Sequence, residues 1–337
     1  MIKSWLFEFF RSVHDPIGRD NPATVQQHFR DYFDLWVDDE ALGFEGIFFS
    51  EHHFGPGYSP SPNLVLAKLA ALTSSLRLGV LGSVSGYATP WRVAEEFAML
   101  DHLTDGRLEM GLVSGIPPEL AAVGISREHA AEVHAETLEV LLAAIAKPVV
   151  SHTGKHFSFE DVRITPGFLR PSPSVWTAST SEASARRAGT LGLKMCGGFG
   201  NVEDLLPVYE AYQEGARAGG MPTGPDQVGI RRQVMVVEDE ADRDRAAQLG
   251  KEGIETHMRV STESLNLPDA PPKPIARDEL IHGTPTEVAD EIIRQCQALG
   301  AGHFVASFNI FDLAELRRVH ELFGREVLPR LRAAEIG

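Results

Sequence analysis

The sequence predicts an α/β chain folded as a (β/α)8 TIM barrel, with insertions after the fourth strand and before the eighth. Eight short apolar runs alternate with longer amphipathic stretches along the 337 residues. That is the pattern of a parallel sheet covered by helices. Most of the runs are apolar throughout rather than alternating in polarity, as strands buried on both faces are. A chain of this length can form one closed barrel and needs no disulfide staple. Pattern alone also admits an open doubly wound sheet, but eight repeated units favour closure.

The elements follow in order. The first run is Trp5 to Phe9, and Asn21-Pro22 then opens a helical pattern over 23–42, a cap followed by proline in the first turn. The second run, Gly46 to Ser50, lies in GFEGIFFSEHHF and leads to a helix over 62–74. The third, Leu76 to Ser83, precedes a helix over 91–103, and the fourth is Leu108 to Val113. An excursion over 114–173 follows, with a helix at about 129–146 and a small β-like segment around 149–164. The fifth run, Val175 to Ser179, feeds a helix over 182–190, and the sixth, Leu193 to Gly197, a helix over 202–219. The seventh is Val228 to Val237. A second excursion, 254–283, carries LNLPDAPPKP, too rich in proline for regular structure. Thr284-Pro285 starts a helix over 284–299, the eighth run is His303 to Phe308, and a long helix over 312–333 closes the chain. One domain over 1–337 is expected. Long excursions of this kind are either binding lids or plain surface loops.

Composition narrows the function. A formal net charge of -16 repels phosphate backbones, so no nucleic-acid partner is expected. Only two cysteines occur, Cys196 and Cys296, which fits a reducing, cytoplasmic setting. The apolar start of MIKSWLFEFFRS is broken by Glu8 and stopped by Arg11, too short for a secretory leader. No stretch reaches membrane-spanning length, and no membrane association is expected.

In such a barrel the chemistry sits at the C-terminal ends of the strands. Glu51-His52-His53-Phe54 follows strand two, and the two histidines are the acid/base candidates because imidazole titrates near neutrality. The competing reading is a pair of structural histidines bonded to backbone. Adjacent residues at a strand end point to opposite sides, so the pair does not chelate one ion. No zinc spacing occurs elsewhere, and no metal is expected. Thr180, Ser181 and Ser184, in STSEAS, open a helix whose N-terminus suits a phosphate; they equally suit a plain cap. Gly82, Gly86, Gly111 and Gly115 either admit a flat ligand to the backbone or fit barrel packing. Neither a G-x-G-x-x-G after the first strand nor a Walker A motif is present, so a Rossmann or nucleotide-triphosphatase site is unsupported.

GFEGIFFSEHHF, LRLGVLGSVSGYATPWRVAEEFAMLDHLTDGRLEMGLVSG, STSEASARRAGTLGLKM and HGTPTEVADEIIRQCQALGAGHFV together resemble the bacterial luciferase-like flavin-dependent monooxygenases. The resemblance runs from the first strand to the last helix. It implies reduced FMN, supplied by a separate flavin reductase, that reacts with O2 to oxygenate a small organic substrate. Relatives use a deazaflavin for hydride transfer instead, and a non-catalytic flavin-binding barrel is a third possibility. By the same resemblance His52 is the catalytic histidine. Leu81-Gly82 matches a non-proline cis peptide against the flavin ring, Ser181 and Ser184 match phosphate-binding hydroxyls, and Phe199 lies beside the ring. Glu95 matches a structural carboxylate. Ser114 and Glu132 stand where relatives carry phosphate-binding arginines, which leaves Arg186, Arg187 or a long loop to supply the charge, or FMN weakly held. Val113 stands where relatives carry a reactive cysteine. The resemblance also implies a homodimer packed through helices of the second and third units. It does not name the substrate.

Overall fold

The computed structural model describes every residue except 12–20, 56, 265–273 and 337. Its strands are β1 (Lys3–Glu8), β2 (Gly46–Phe49), β3 (Arg77–Val80), β4 (Ser83–Val84), β5 (Leu108–Val113), β6 (Val149–Thr153), β7 (Ser158–Arg163), β8 (Val175–Ala178), β9 (Lys194–Gly197), β10 (Val228–Val236), β11 (Leu280–Gly283) and β12 (His303–Ser307). Eight of them close a parallel barrel in the order β1-β2-β3-β5-β8-β9-β10-β12, with β12 returning to β1. The closed ring excludes the open-sheet alternative.

The helices are α1 (Pro22–Leu42), α2 (Pro62–Leu72), α3 (Pro90–Leu103), α4 (Pro117–Ala122), α5 (Arg127–Ala146), α6 (Glu182–Thr190), α7 (Val202–Gly219), α8 (Arg243–Ser264), α9 (Pro285–Leu299), α10 (Leu313–Leu322) and α11 (Leu328–Ala333). Five of them, α1, α2, α3, α4 and α9, begin with proline at the first turn, where its missing N–H costs no hydrogen bond. The main apolar core lies between the barrel and these helices. A second cluster, Trp5, Phe48, Leu81, Trp176, Cys196 and Val305, fills the barrel itself. Trp5 stacks on Phe48 at 4.8 Å between centroids, and Trp176 meets Phe48 edge-on at 5.4 Å. Such pairs contribute about 0.5–1.5 kcal/mol each beyond their burial. These rings plug the barrel and form the floor of whatever lies above.

Some elements differ from expectation. The third run is split, with β3 ending at Val80 and β4 starting at Ser83; a cis peptide joins Leu81 to Gly82 in the gap. The segment 254–283 is not simply irregular. It begins as the last turns of α8 and ends as β11, a further parallel strand beside Gln233–Val236 of β10. Most of LNLPDAPPKP lies outside the described residues. The α8 sequence is largely polar, so apolar periodicity gives it little signal. The closing helix is interrupted by a π-turn over Phe323–Val327. Pro329 has no N–H to give to the preceding turn, and a π-turn absorbs the lost bond. The hairpin β6–β7 fills the expected β-like excursion. Among the described residues, no helix is long and apolar enough to cross a membrane.

Candidate active site

Two adjoining chambers open above the aromatic floor, each of about 380 Å³. The inner one is bounded by Leu81, Gly82, Ser114, Ser179, Thr180 and Cys196. The outer one is bounded by Arg11, His53, Gln233, Ile254, His257 and Asn309. Phe9, His52, Ile116, Glu119, Phe199 and Arg231 line both. That size and a mostly apolar wall suit a small organic ligand.

His52 lies just past β2, at the junction of the chambers. Its Nδ1 is 2.9 Å from Glu119 Oε1, and its ring stacks on Phe9 at 5.9 Å. Glu119 belongs to α4 and is buried, and its Oε2 has no hydrogen-bond partner. With Glu119 ionised, Nδ1 carries the imidazole proton and Nε2 is left as an acceptor. His53 turns to a different partner: its Nε2 is 3.0 Å from Glu51 Oε1, while Ser83 Oγ donates to Glu51 Oε2 at 2.7 Å. The hydrogen bond to Glu51 raises the pKa of His53 despite partial burial. The two histidines thus have separate carboxylates, as opposite orientation at a strand end requires. Beyond Phe9, His257 packs edge-on at 4.2 Å. Burial, with Arg11, Arg231 and His52 nearby, holds His257 well below the usual histidine pKa.

Of the residues singled out from the sequence, His52, His53, Leu81, Gly82, Val113, Ser114, Gly115, Thr180 and Phe199 meet here. Ser181 and Ser184 do not line either chamber. Ser181 caps α6: its Oγ accepts from Ser184 N at 3.4 Å and lies 3.0 Å from Ser184 Oγ. The glycine question resolves toward packing at two positions. A Cβ on Gly86 would sit 2.1 Å from the Ser114 carbonyl oxygen, and one on Gly111 would sit 2.1 Å from that of Val80. Arg186 pairs with Glu214 on α7, and Glu132 pairs with Lys155 and His156 of the hairpin. Arg187 lies close to His134: burial, with the Arg187 charge nearby, lowers the His134 pKa to about 4. His134 Nδ1 lies 2.7 Å from Ser85 Oγ, just past β4.

Glu119 and Arg231 are among the site residues that lay outside the sequence reading. Glu119 falls in the first turn of a short helix, where an acid ordinarily only complements the helix dipole. Arg231 had a usable signal. RRQ interrupts an otherwise apolar strand at 231–233, and charge inside a buried strand needs a reason.

A profile of the luciferase-like monooxygenase family matches residues 10–303. Protein y4wF of Sinorhizobium fredii is 38% identical over an alignment spanning 53% of this chain and 53% of that one. The 4-hydroxyprotoasukamycin monooxygenase of Streptomyces nodosus is 28% identical, with 96% of this chain and 91% of that protein aligned. The oxygenating constituent of 3,6-diketocamphane monooxygenase from Pseudomonas putida, solved with FMN, superposes with a TM-score of 0.76 at 18% identity, covering 98% of each chain. At that identity the likeness carries the fold alone. The family match and the closed barrel agree from end to end, and this chain is an enzyme that belongs to the luciferase-like monooxygenase family.

Proposed function

We propose that the enzyme uses reduced FMN, delivered by a separate reductase, together with O2 to oxygenate a small organic substrate. The observation that carries the reading is His52, held by a buried carboxylate at the junction of two chambers. The inner chamber suits the flavin ring. Ser50 and Ser179 line it, and the Oγ of each is buried with no hydrogen-bond partner. A leaf of ring carbonyls and N–H groups would satisfy both, where an apolar ligand would leave them unpaired. The diketocamphane enzyme, which binds FMN, has the same barrel.

Bound reduced FMN would supply the two electrons that activate O2. The chain's own residues do the rest. Glu119 fixes the tautomer and direction of His52, and Nε2 accepts and returns a proton beside the flavin. Phe9 and Phe199 wall the junction and keep water from the reacting oxygen. Thr180, the Ser181 and Ser184 hydroxyls and the N-terminus of α6 take the phosphate, with Arg187 in place of the arginines absent at Ser114 and Glu132. One cation in place of two gives a weakly held cofactor, consistent with a flavin exchanged at each turnover. Both cysteines are free and buried, as suits the cytoplasm.

A homodimer packed through the second and third units belongs to the same reading. Leu64 and Leu72 of α2, and Trp91, Met99 and Leu103 of α3, are large apolar side chains exposed on these units, which a second copy would cover.

The test is His52→Ala. Binding of FMN is expected to survive within about threefold, while turnover falls by about two to four orders of magnitude. Unchanged turnover would remove His52 from the chemistry.

A further inference from the structure

The outer chamber holds a cation that the reading above does not use. Arg231 projects from β10 into the barrel, and its guanidinium lies 5.2 Å from the Phe7 ring, 5.9 Å from Phe9 and 5.1 Å from Phe199. Its Nη1 donates to Ser307 Oγ at 3.3 Å. The Gln233 amide, turned to satisfy its neighbours, accepts from the same nitrogen at 3.1 Å. Among the described residues, Nε and Nη2 have no acceptor, and no carboxylate pairs with the guanidinium. Those nitrogens are not sealed in protein, and the residue lines both chambers, so the free edge faces ligand space.

The neighbouring charges are otherwise engaged. Arg232 also borders the outer chamber but is buried, and it donates through Nε to Gln295 and through Nη1 to the Gly198 carbonyl. Glu119 holds His52, and Glu279 accepts from Gly200 N at 2.6 Å. Three aromatic faces stabilise a guanidinium, but they leave the N–H groups of its free edge unsatisfied. A desolvated cation with a free two-donor edge matches a carboxylate, whose two oxygens accept in parallel. The rest of the chamber, with Phe9, Ile116, Phe199 and Ile254, accepts a flat apolar body.

We infer that the outer chamber binds a flat, mostly apolar organic substrate through one carboxylate, seated on the Nε–Nη2 edge of Arg231. The inference rests on the assignment of this chamber to the substrate.

The test uses the flavin-free full chain, titrated by fluorescence with 2-naphthoate and with its neutral isostere 2-naphthamide. Naphthoate is expected to bind at least about tenfold tighter, and Arg231→Gln to erase the difference while leaving naphthamide and reduced FMN affinities within about twofold. Equal affinities in the wild type, or no binding of either probe, overturn the inference, and neither result depends on a variant that folds. A preference that survives in Arg231→Gln also overturns it. So does a variant that loses reduced FMN affinity and keeps the naphthoate preference, since Arg231 would then serve the cofactor. If no flavin binds but the Arg231-dependent preference holds, the monooxygenase reading fails and the carboxylate site stands.

Discussion

At the scale of single residues, the site is governed by which carboxylate each histidine meets. His52 takes Glu119 and His53 takes Glu51. Only the first pair stands at the junction of the chambers. Replacing Glu119 by glutamine keeps shape and burial but replaces the carboxyl group that meets His52 Nδ1. Turnover should fall about 10- to 100-fold, with little change in KM and none in the melting temperature. A fall in KM-determined affinity with unchanged kcat would make Glu119 a wall of the pocket and nothing more. The EHHF segment was legible from the sequence because it follows a strand and so must reach the barrel mouth. Glu119 was not, because its partner is 67 residues away and nothing local distinguishes it from a helix-dipole acid.

At the scale of elements, the strands and most helices were legible because their periods differ and their caps are explicit. What was lost has physical causes. The polar α8 and the four-residue β11 carry little apolar pattern, and the break between β3 and β4 falls inside one apolar run. One side chain illustrates how elements are tied together. Glu40, near the end of α1, accepts from the backbone N–H groups of Ser74 and Leu76 with its Oε1, and from Ser75 as well. This fixes the turn that feeds β3. Partial burial opposes ionisation, but these hydrogen bonds outweigh it and lower the Glu40 pKa to about 2. A carboxyl with a lowered folded-state pKa stabilises fully above its ordinary value of 4.5 and loses the effect as pH falls toward about 2. Glu40→Gln should therefore cost about 1 kcal/mol at neutral pH, after allowance for solvent screening. The gap from wild type should close as pH falls through that window. Denaturant unfolding at pH 7 and at pH 3 measures both, and a gap that widens at low pH would contradict the assignment.

At the scale of the whole molecule, closure of eight parallel strands brings loops far apart in sequence to one mouth. The family resemblance and the barrel agree on where that mouth is, and the two-chamber division could only be seen in three dimensions. The outer surface carries the second message of the fold. Leu64, Trp91, Met99 and Leu103 are 74%, 37%, 50% and 53% exposed on neighbouring helices, a cost that burial against a second copy would remove. Sedimentation equilibrium is expected to give a dimer, and the double variant Leu64→Glu with Met99→Glu a monomer with the barrel intact. A wild-type monomer at micromolar concentration would contradict the dimer.

The central claim is that the mouth of this barrel is built for reduced FMN. Anaerobic equilibrium titration of the purified enzyme with reduced FMN, oxidised FMN and a reduced deazaflavin tests it most directly. Saturable binding that favours reduced FMN is the predicted result. Tight binding of the deazaflavin alone would replace oxygenation with hydride transfer, and no binding of any of the three would contradict the flavin assignment altogether.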